Sequence, residues 1–211
     1  MPNYVHHTFE GGGIAIWHIT ETSNELYALL GMPCYDAQLL AKKNESRRAE
    51  WLAVRLLVKE LFGSECEVAY HPTGRPYLKN GAAHISISHT KSFAAVAYHH
   101  DAPIGMDIEY ISSRVERIAS RFTTPDEASY IDVHDEHARQ MYHLINWSAK
   151  ETLYKLFDSP SMAEFKEVFH IASYALAECG AMEATVFHAE KSVLAVSYRT
   201  FPEFVCTWAV L

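Results

Sequence analysis

Two pairs of charged residues in this chain sit at spacings that bring their side chains together. The first is Asp107 and Glu109, inside the stretch Ile104-Gly105-Met106-Asp107-Ile108-Glu109-Tyr110. Apolar and acidic positions alternate there as they do along a strand. Side chains two apart share a face, so the two carboxylates stand side by side while Met106 and Ile108 point the other way. Adjacent anions repel, and such a pair is normally relieved by a shared proton, a basic partner or a hard divalent cation such as Mg²⁺. On its own, Asp-x-Glu is more often a strand end with two solvated acids. The second pair is Glu151 and Lys155, within Trp147-Ser148-Ala149-Lys150-Glu151-Thr152-Leu153-Tyr154-Lys155. Four residues apart, they stack on one face of a helix. If exposed, they contribute only a few tenths of a kcal/mol to its stability.

The elements that must carry these residues follow from periodicity and punctuation. Gly11-Gly12-Gly13 leads into a strand at Ile14 to Ile19, and Thr22 or Ser23 caps a short helix that ends at Leu30 before Gly31 and Pro33. Trp51, Val54, Val58 and Leu61 recur at helical spacing, which predicts a helix from Glu45 to Phe62 stopped by Gly63. Strands are expected at Cys66 to His71, Arg75 to Leu78, His84 to His89, Phe93 to Tyr98 and Ile104 to Tyr110. Thr124-Pro125-Asp126-Glu127 reads as a capping box opening a helix, and a longer helix is expected from Glu136 to Phe157. Further strands are expected at Val168 to Tyr174, Glu183 to Ala189, Ser192 to Arg199 and Phe204 to Val210.

At 211 residues and 49% hydrophobic side chains, the chain can bury a core as one domain or two small ones. No apolar run approaches the roughly 20 residues that span a bilayer, and Met1-Pro2-Asn3-Tyr4-Val5-His6-His7 lacks the pattern of a secretory signal. The expectation is therefore a cytoplasmic protein with no membrane partner. Cys34, Cys66, Cys179 and Cys206 show no Cys-x-x-Cys spacing and read as reduced core thiols. The pairs His6-His7 and His99-His100 and the group His134, His137 and His143 read as surface or packing residues.

The net charge of -8 is unevenly spread, because residues 104–211 carry 9 basic and 16 acidic side chains. Against that trend, Lys42, Lys43, Arg47, Arg48, Arg55 and Lys59 face only Glu45 and Glu50 within one segment. A local basic patch in an acidic protein suits a small anionic ligand rather than nucleic acid, or else is a solvated helix face. A seam between two halves is expected near residue 103.

Taken together, Gly74-Arg75-Pro76, Ile87-Ser88-His89, Gly105-Met106-Asp107-Ile108-Glu109 and Trp147-Ser148-Ala149-Lys150-Glu151, followed by Lys155, closely resemble the ordered motifs of the 4′-phosphopantetheinyl transferases of the Sfp type. The resemblance implies an α/β (α+β) fold of two similar subdomains, 1–103 and 104–211, each a small mostly antiparallel sheet packed with helices. A pseudo-twofold axis would relate them, with the cofactor between. It implies Mg²⁺, or Mn²⁺, on Asp107, Glu109 and Glu151, and coenzyme A as co-substrate. Lys155 would touch the pyrophosphate, Ser88 and His89 would line the cofactor, Arg47 and Arg55 would hold the 3′-phosphate, and Arg75 would lie near the adenosine. Arg48 competes with Arg47 for its place, and Lys42 and Lys43 stand where some relatives carry further lysines.

The implied reaction moves a phosphopantetheine arm from coenzyme A to a serine of an apo acyl or peptidyl carrier protein of fatty acid or secondary-metabolite synthesis. Catalysis would fall to Glu151, Lys155 and Asp107, in a monomer. Two other readings stay open. Another Mg²⁺-dependent phosphotransferase would be expected to show a Gly-x-x-x-x-Gly-Lys-Ser/Thr loop, and the sequence contains none. A non-catalytic coenzyme A-binding or carrier-docking module would be favoured by a lost metal ligand, yet all three acids are present. For docking, Arg114, Arg117 and Arg121 fall at helical spacing, with Val115, Ile118 and Phe122 as adjoining apolar surface.

Overall fold

A computed structural model describes residues 4–42, 44–131, 133–157, 165–187 and 191–211. The chain divides into two compact units, residues 1–102 and 103–211. The first contains β1 (Tyr4–Phe9), β2 (Gly12–His18), α1 (Ser23–Leu30), a 3₁₀ turn (Pro33–Tyr35), α2 (Asp36–Leu40), α3 (Glu45–Phe62), β3 (Val68–Tyr70), β4 (Pro76–Leu78), β5 (His84–Thr90) and β6 (Phe93–His99). Four strands form an antiparallel sheet in the order β1-β2-β6-β5, and β3 and β4 make a separate hairpin.

Local chemistry explains the helices of this unit. Thr22 and Glu25 form a reciprocal capping box at the start of α1, and Gly31 closes it with a left-handed φ of 58° that a side chain would strain. Asn44 caps α3 by accepting from the Arg47 backbone N–H. The apolar side of α3, including Leu52, Leu56 and Leu57, joins Trp17, Leu26, Leu30 and Val96 in one core. Lys59, expected among the anion-binding cations, instead donates to the Leu29 and Leu30 carbonyls at 3.2 and 2.8 Å. It serves as a cation at the C-terminus of α1, where the helix dipole favours one.

The second unit contains β7 (Ile104–Tyr110), α4 (Arg114–Phe122), α5 (Pro125–Ile131), α6 (Glu136–Phe157), α7 (Phe165–Val168), β8 (Phe169–Ile171), β9 (Cys179–Phe187), β10 (Lys191–Thr200) and β11 (Phe204–Val210). Its antiparallel sheet runs β7-β11-β10-β9-β8, and α6 packs along β7 and β11. The close approach of α6 to β7 requires Gly105, since a Cβ there would collide with the Thr152 carbonyl and sit 2.8 Å from Leu156 Cβ. Both units are thus mixed helix and antiparallel sheet.

The expected capping box is present at α5, with Thr124 N–H donating to Glu127 Oε2 at 2.7 Å and Glu127 N–H to Thr124 Oγ1 at 3.2 Å. Glu127 also takes the Ile171 N–H and the ammonium of Lys150, 2.9 Å away, in an ion pair whose two side chains are both fully buried. Removing either partner would strand a buried charge, at a cost of roughly 3–5 kcal/mol. This pair locks α5 and β8 to α6, which carries Glu151.

Several boundaries differ from those the pattern predicts. β1 shows no clean apolar alternation, because it is an edge strand with Val5, His6 and Thr8 exposed. The segment expected as a strand from Val168 to Tyr174 keeps only Phe169–Ile171. Ala172 N–H still donates to the Glu183 carbonyl, and beyond it tyrosines hold the backbone: Tyr142 OH donates to the Tyr174 carbonyl and Tyr198 OH to that of Ala175. β9 starts earlier than expected, at Cys179, and the expected end at Ala189 lies outside the described residues. Cys66 and Cys206 are buried, but Cys34 and Cys179 are exposed, so only two of the four are core thiols. No helix among the described residues is long and apolar enough to cross a membrane.

Candidate active site

β7 delivers Asp107 and Glu109 to the face that meets α6, and α6 answers with side chains spaced three and four apart. Ser148 Oγ donates to Asp107 Oδ2 at 3.0 Å, and Trp147 Nε1 donates to Glu109 Oε1 at 2.9 Å. Two turns later, Lys155 Nζ donates to Asp107 Oδ1 at 2.8 Å and to the Met106 carbonyl at 3.2 Å. The two motifs are therefore stitched together directly. Asp107 is only 4% exposed, and Glu109 and Glu151 are half-buried.

Electrostatics bring Glu151 into the same group. Burial, reinforced by the charge of Asp107, pushes the carboxyl of Glu151 up to about 7, and Lys155 offsets part of that rise. Glu109 is pushed up to about 7 as well, first by burial and then by Asp107, with the Trp147 hydrogen bond opposing. Ionising both Glu109 and Glu151 near Asp107 is thus unfavourable.

The donor set fits a hard divalent cation in type, since all three groups offer carboxylate oxygens. Among the described residues, no three His, Cys, Asp or Glu side chains are already arranged as a metal cage. Asp107 instead has one oxygen on the Lys155 ammonium, which supplies the positive charge the acids need.

The first unit assembles a different group. Arg47 projects from the first turn of α3, and its NH1 lies 2.9 Å from Glu50 Oε2 and 3.2 Å from His89 Nε2 at the end of β5. Glu50 Oε2 is also 3.6 Å from His89 Nδ1. Ser88 is buried in β5 beside His89. Arg75 lies half-buried where the β3–β4 turn enters β4, after Gly74 with its positive φ of 92°.

Arg47 and Arg55 lie in different surroundings on α3, the first exposed and the second buried. Eight residues advance a helix by about 12 Å and leave the side chains roughly a quarter turn apart. Arg55 is 2% exposed, with its guanidinium 3.8 Å from the Trp51 ring centroid and within hydrogen-bond reach of the Tyr70 hydroxyl at 3.2 Å. It packs the helix against an aromatic box that includes Tyr35. Arg48 is half-buried and Lys42 exposed, while Lys43 lies outside the described residues.

A family model described as the 4′-phosphopantetheinyl transferase superfamily matches residues 103–209, just over half of the chain. The chain belongs to that superfamily. No curated protein matches it. The stretch shared with the 4′-phosphopantetheinyl transferases includes β7, α6 and most of β11, so Asp107, Glu109, Glu151 and Lys155 lie within it and Arg47 and His89 lie outside. The superfamily transfers phosphopantetheinyl groups, uses coenzyme A as substrate, acts on carrier proteins and typically uses a divalent metal.

Sequence reasoning left several contributors to these sites unassigned. Glu50 stands three residues after Arg47, a spacing that signals a helical ion pair. Ser148 sat unassigned inside a recognised motif. Thr207 carried no signal, because only the β7–β11 register sets it opposite Asp107.

Proposed function

We propose that this protein is an Sfp-type enzyme that transfers the 4′-phosphopantetheine arm of coenzyme A to a serine of an apo acyl or peptidyl carrier protein. The observation that carries the reading is the meeting of Asp107, Glu109 and Lys155 on facing elements, with Glu151 electrostatically coupled to them. The serine Oγ attacks the phosphorus bearing the pantetheine arm, the P–O bond to the second phosphate breaks, and adenosine 3′,5′-bisphosphate leaves. Asp107, Glu109 and Glu151 would hold Mg²⁺ or Mn²⁺, which when bound neutralises charge on the pyrophosphate.

Lys155 moves from Asp107 to the pyrophosphate and stabilises the charge that builds on the leaving group. Glu151 takes the serine proton directly or through a water; burial makes it a better base than an ordinary glutamate near 4.3. Metal ligation lowers that basicity again, so its role as ligand is the firmer one. In the first unit, Arg47 takes the 3′-phosphate, Ser88 and His89 line the cofactor and Arg75 lies near the adenosine. Arg55 holds α3 against Trp51, Tyr35 and Tyr70. The enzyme is proposed to act as a cytoplasmic monomer.

Incubation with coenzyme A, Mg²⁺ and a panel of apo carrier proteins tests this. Chromatography should show adenosine 3′,5′-bisphosphate accumulating only when a carrier with its acceptor serine is present. Its absence with every carrier, despite measurable coenzyme A binding, would favour a non-catalytic binding module.

A further inference from the structure

Beneath Asp107 lies a chain of three buried hydroxyls that the reaction does not use. Ser148, Thr152 and Thr207 are all fully buried. Ser148 Oγ is 3.0 Å from Asp107 Oδ2 and 2.9 Å from Thr207 Oγ1. Thr207 Oγ1 is in turn 2.7 Å from Thr152 Oγ1, which also lies 3.1 Å from the Thr207 carbonyl.

Counting hydrogens gives this chain a direction. An ionised carboxylate only accepts, so the Ser148 hydrogen points to Asp107. The 2.9 Å contact between Ser148 and Thr207 must then use the Thr207 hydrogen. That leaves the 2.7 Å contact to the Thr152 hydrogen, shared with the Thr207 carbonyl. The reverse order would leave the Ser148 oxygen and the Asp107 carboxylate facing each other lone pair to lone pair in a buried position. Each hydroxyl thus polarises the next toward Asp107, and such chains strengthen cooperatively.

We propose that Ser148 is a positioning residue for Asp107, held in place by Thr207 and Thr152, and that this hydroxyl chain fixes the carboxylate plane presented to the divalent cation. The inference rests on the metal site proposed above. Lys155 cannot provide the same restraint during turnover, because it is needed on the pyrophosphate. Ser148 is anchored in the body of the unit and stays. Outer hydrogen bonds of this kind typically alter metal affinity by about 10- to 100-fold.

The test is Mn²⁺ binding, read by electron paramagnetic resonance of free Mn²⁺ on the full chain at pH 8, without coenzyme A. Ser148→Ala should weaken binding about tenfold or more. Thr207→Val keeps the shape of the side chain and leaves the Ser148–Asp107 hydrogen bond in place, and should weaken binding less. In turnover, Ser148→Ala should raise the Mg²⁺ concentration giving half-maximal rate while most of kcat returns at saturating Mg²⁺. A merely structural role would lower the melting temperature without that split. Mn²⁺ affinity within twofold of the unsubstituted protein in both variants would overturn the proposal, as would an affinity loss matched by loss of cooperative melting in both. If Asp107→Asn also leaves Mn²⁺ binding unchanged, the metal site itself is misassigned, a separate and distinguishable failure.

Discussion

Lys155 Nζ sits 2.8 Å from Asp107 Oδ1, an ammonium resting on the most buried of the three proposed metal ligands. On the proposed function, the cation needed at the pyrophosphate is also the counter-ion of Asp107. Arrival of a divalent cation and release of Lys155 to the substrate would then be one exchange.

Lys155→Met should consequently separate metal binding from turnover. Without its ammonium, the acid group is more negative, and Mn²⁺ affinity at pH 8 should rise several-fold. Turnover with coenzyme A should fall by at least about 100-fold, since no cation replaces it at the pyrophosphate. Binding assays beside steady-state rates would read both. Weaker Mn²⁺ binding in this variant would mean that Lys155 orders Asp107 more than it competes for it.

Glu109 and Glu151, as proposed metal ligands, should make metal binding dependent on pH. Both are raised from ordinary carboxylate values to about 7 by burial and by Asp107. Below about 4.5 they are protonated whether the chain is folded or not. Between there and about 7 the unfolded chain ionises them first, so the metal-free fold loses stability as pH rises, and above about 7 the penalty is complete. Mg²⁺ should restore the melting temperature at pH 8 and do little at pH 5. A restoration equal at both pH values would rule out these acids as the source.

Asp107 illustrates what the sequence could and could not convey. Its strand, its shared face with Glu109 and the helix bearing Glu151 are all legible, because periods of two and 3.6 are written into residue order. The dependence of the buried Ser148 hydroxyl and the Lys155 ammonium on that carboxylate is not. Asp107→Asn is therefore the cleaner substitution. Thr207 and the Glu127–Lys150 pair depend on strand register and helix docking, which no local pattern encodes. Likewise the eight residues between Arg47 and Arg55 are legible, while the burial of Arg55 is not, because Tyr35 and Tyr70 reach it only in the fold.

That difference in burial yields a pair of contrasting variants. Arg47→Ala should weaken coenzyme A binding by about 2 kcal/mol and hardly affect dephospho-coenzyme A, which lacks the 3′-phosphate. Arg55→Ala should instead lower the melting temperature, because it empties a packed site between Trp51, Tyr35 and Tyr70. Calorimetric titration with both ligands, alongside thermal melts, separates the two. Equal losses for both ligands in Arg47→Ala would show that it too acts through the fold.

Helix α4 leaves Arg114, Arg117 and Arg121 exposed, which suits an acidic carrier helix. Val115 and Phe122, expected beside them on the surface, are buried in the core, so Ile118 remains as the half-buried apolar contact. Arg117→Glu should raise KM for carrier protein, leave KM for coenzyme A unchanged and flatten the salt dependence of association. A carrier KM insensitive to reversal at all three arginines would place docking elsewhere.

The most direct test of the central claim is the intact mass of an apo carrier protein after incubation with coenzyme A, Mg²⁺ and either the unsubstituted protein or Asp107→Asn. The account predicts that the unsubstituted protein adds the mass of one phosphopantetheine arm, at the acceptor serine. It predicts that excess EDTA abolishes the addition, and that a folded Asp107→Asn protein adds at least about 100-fold more slowly. Addition at an undiminished rate with Asp107→Asn, or in the presence of EDTA, would contradict it.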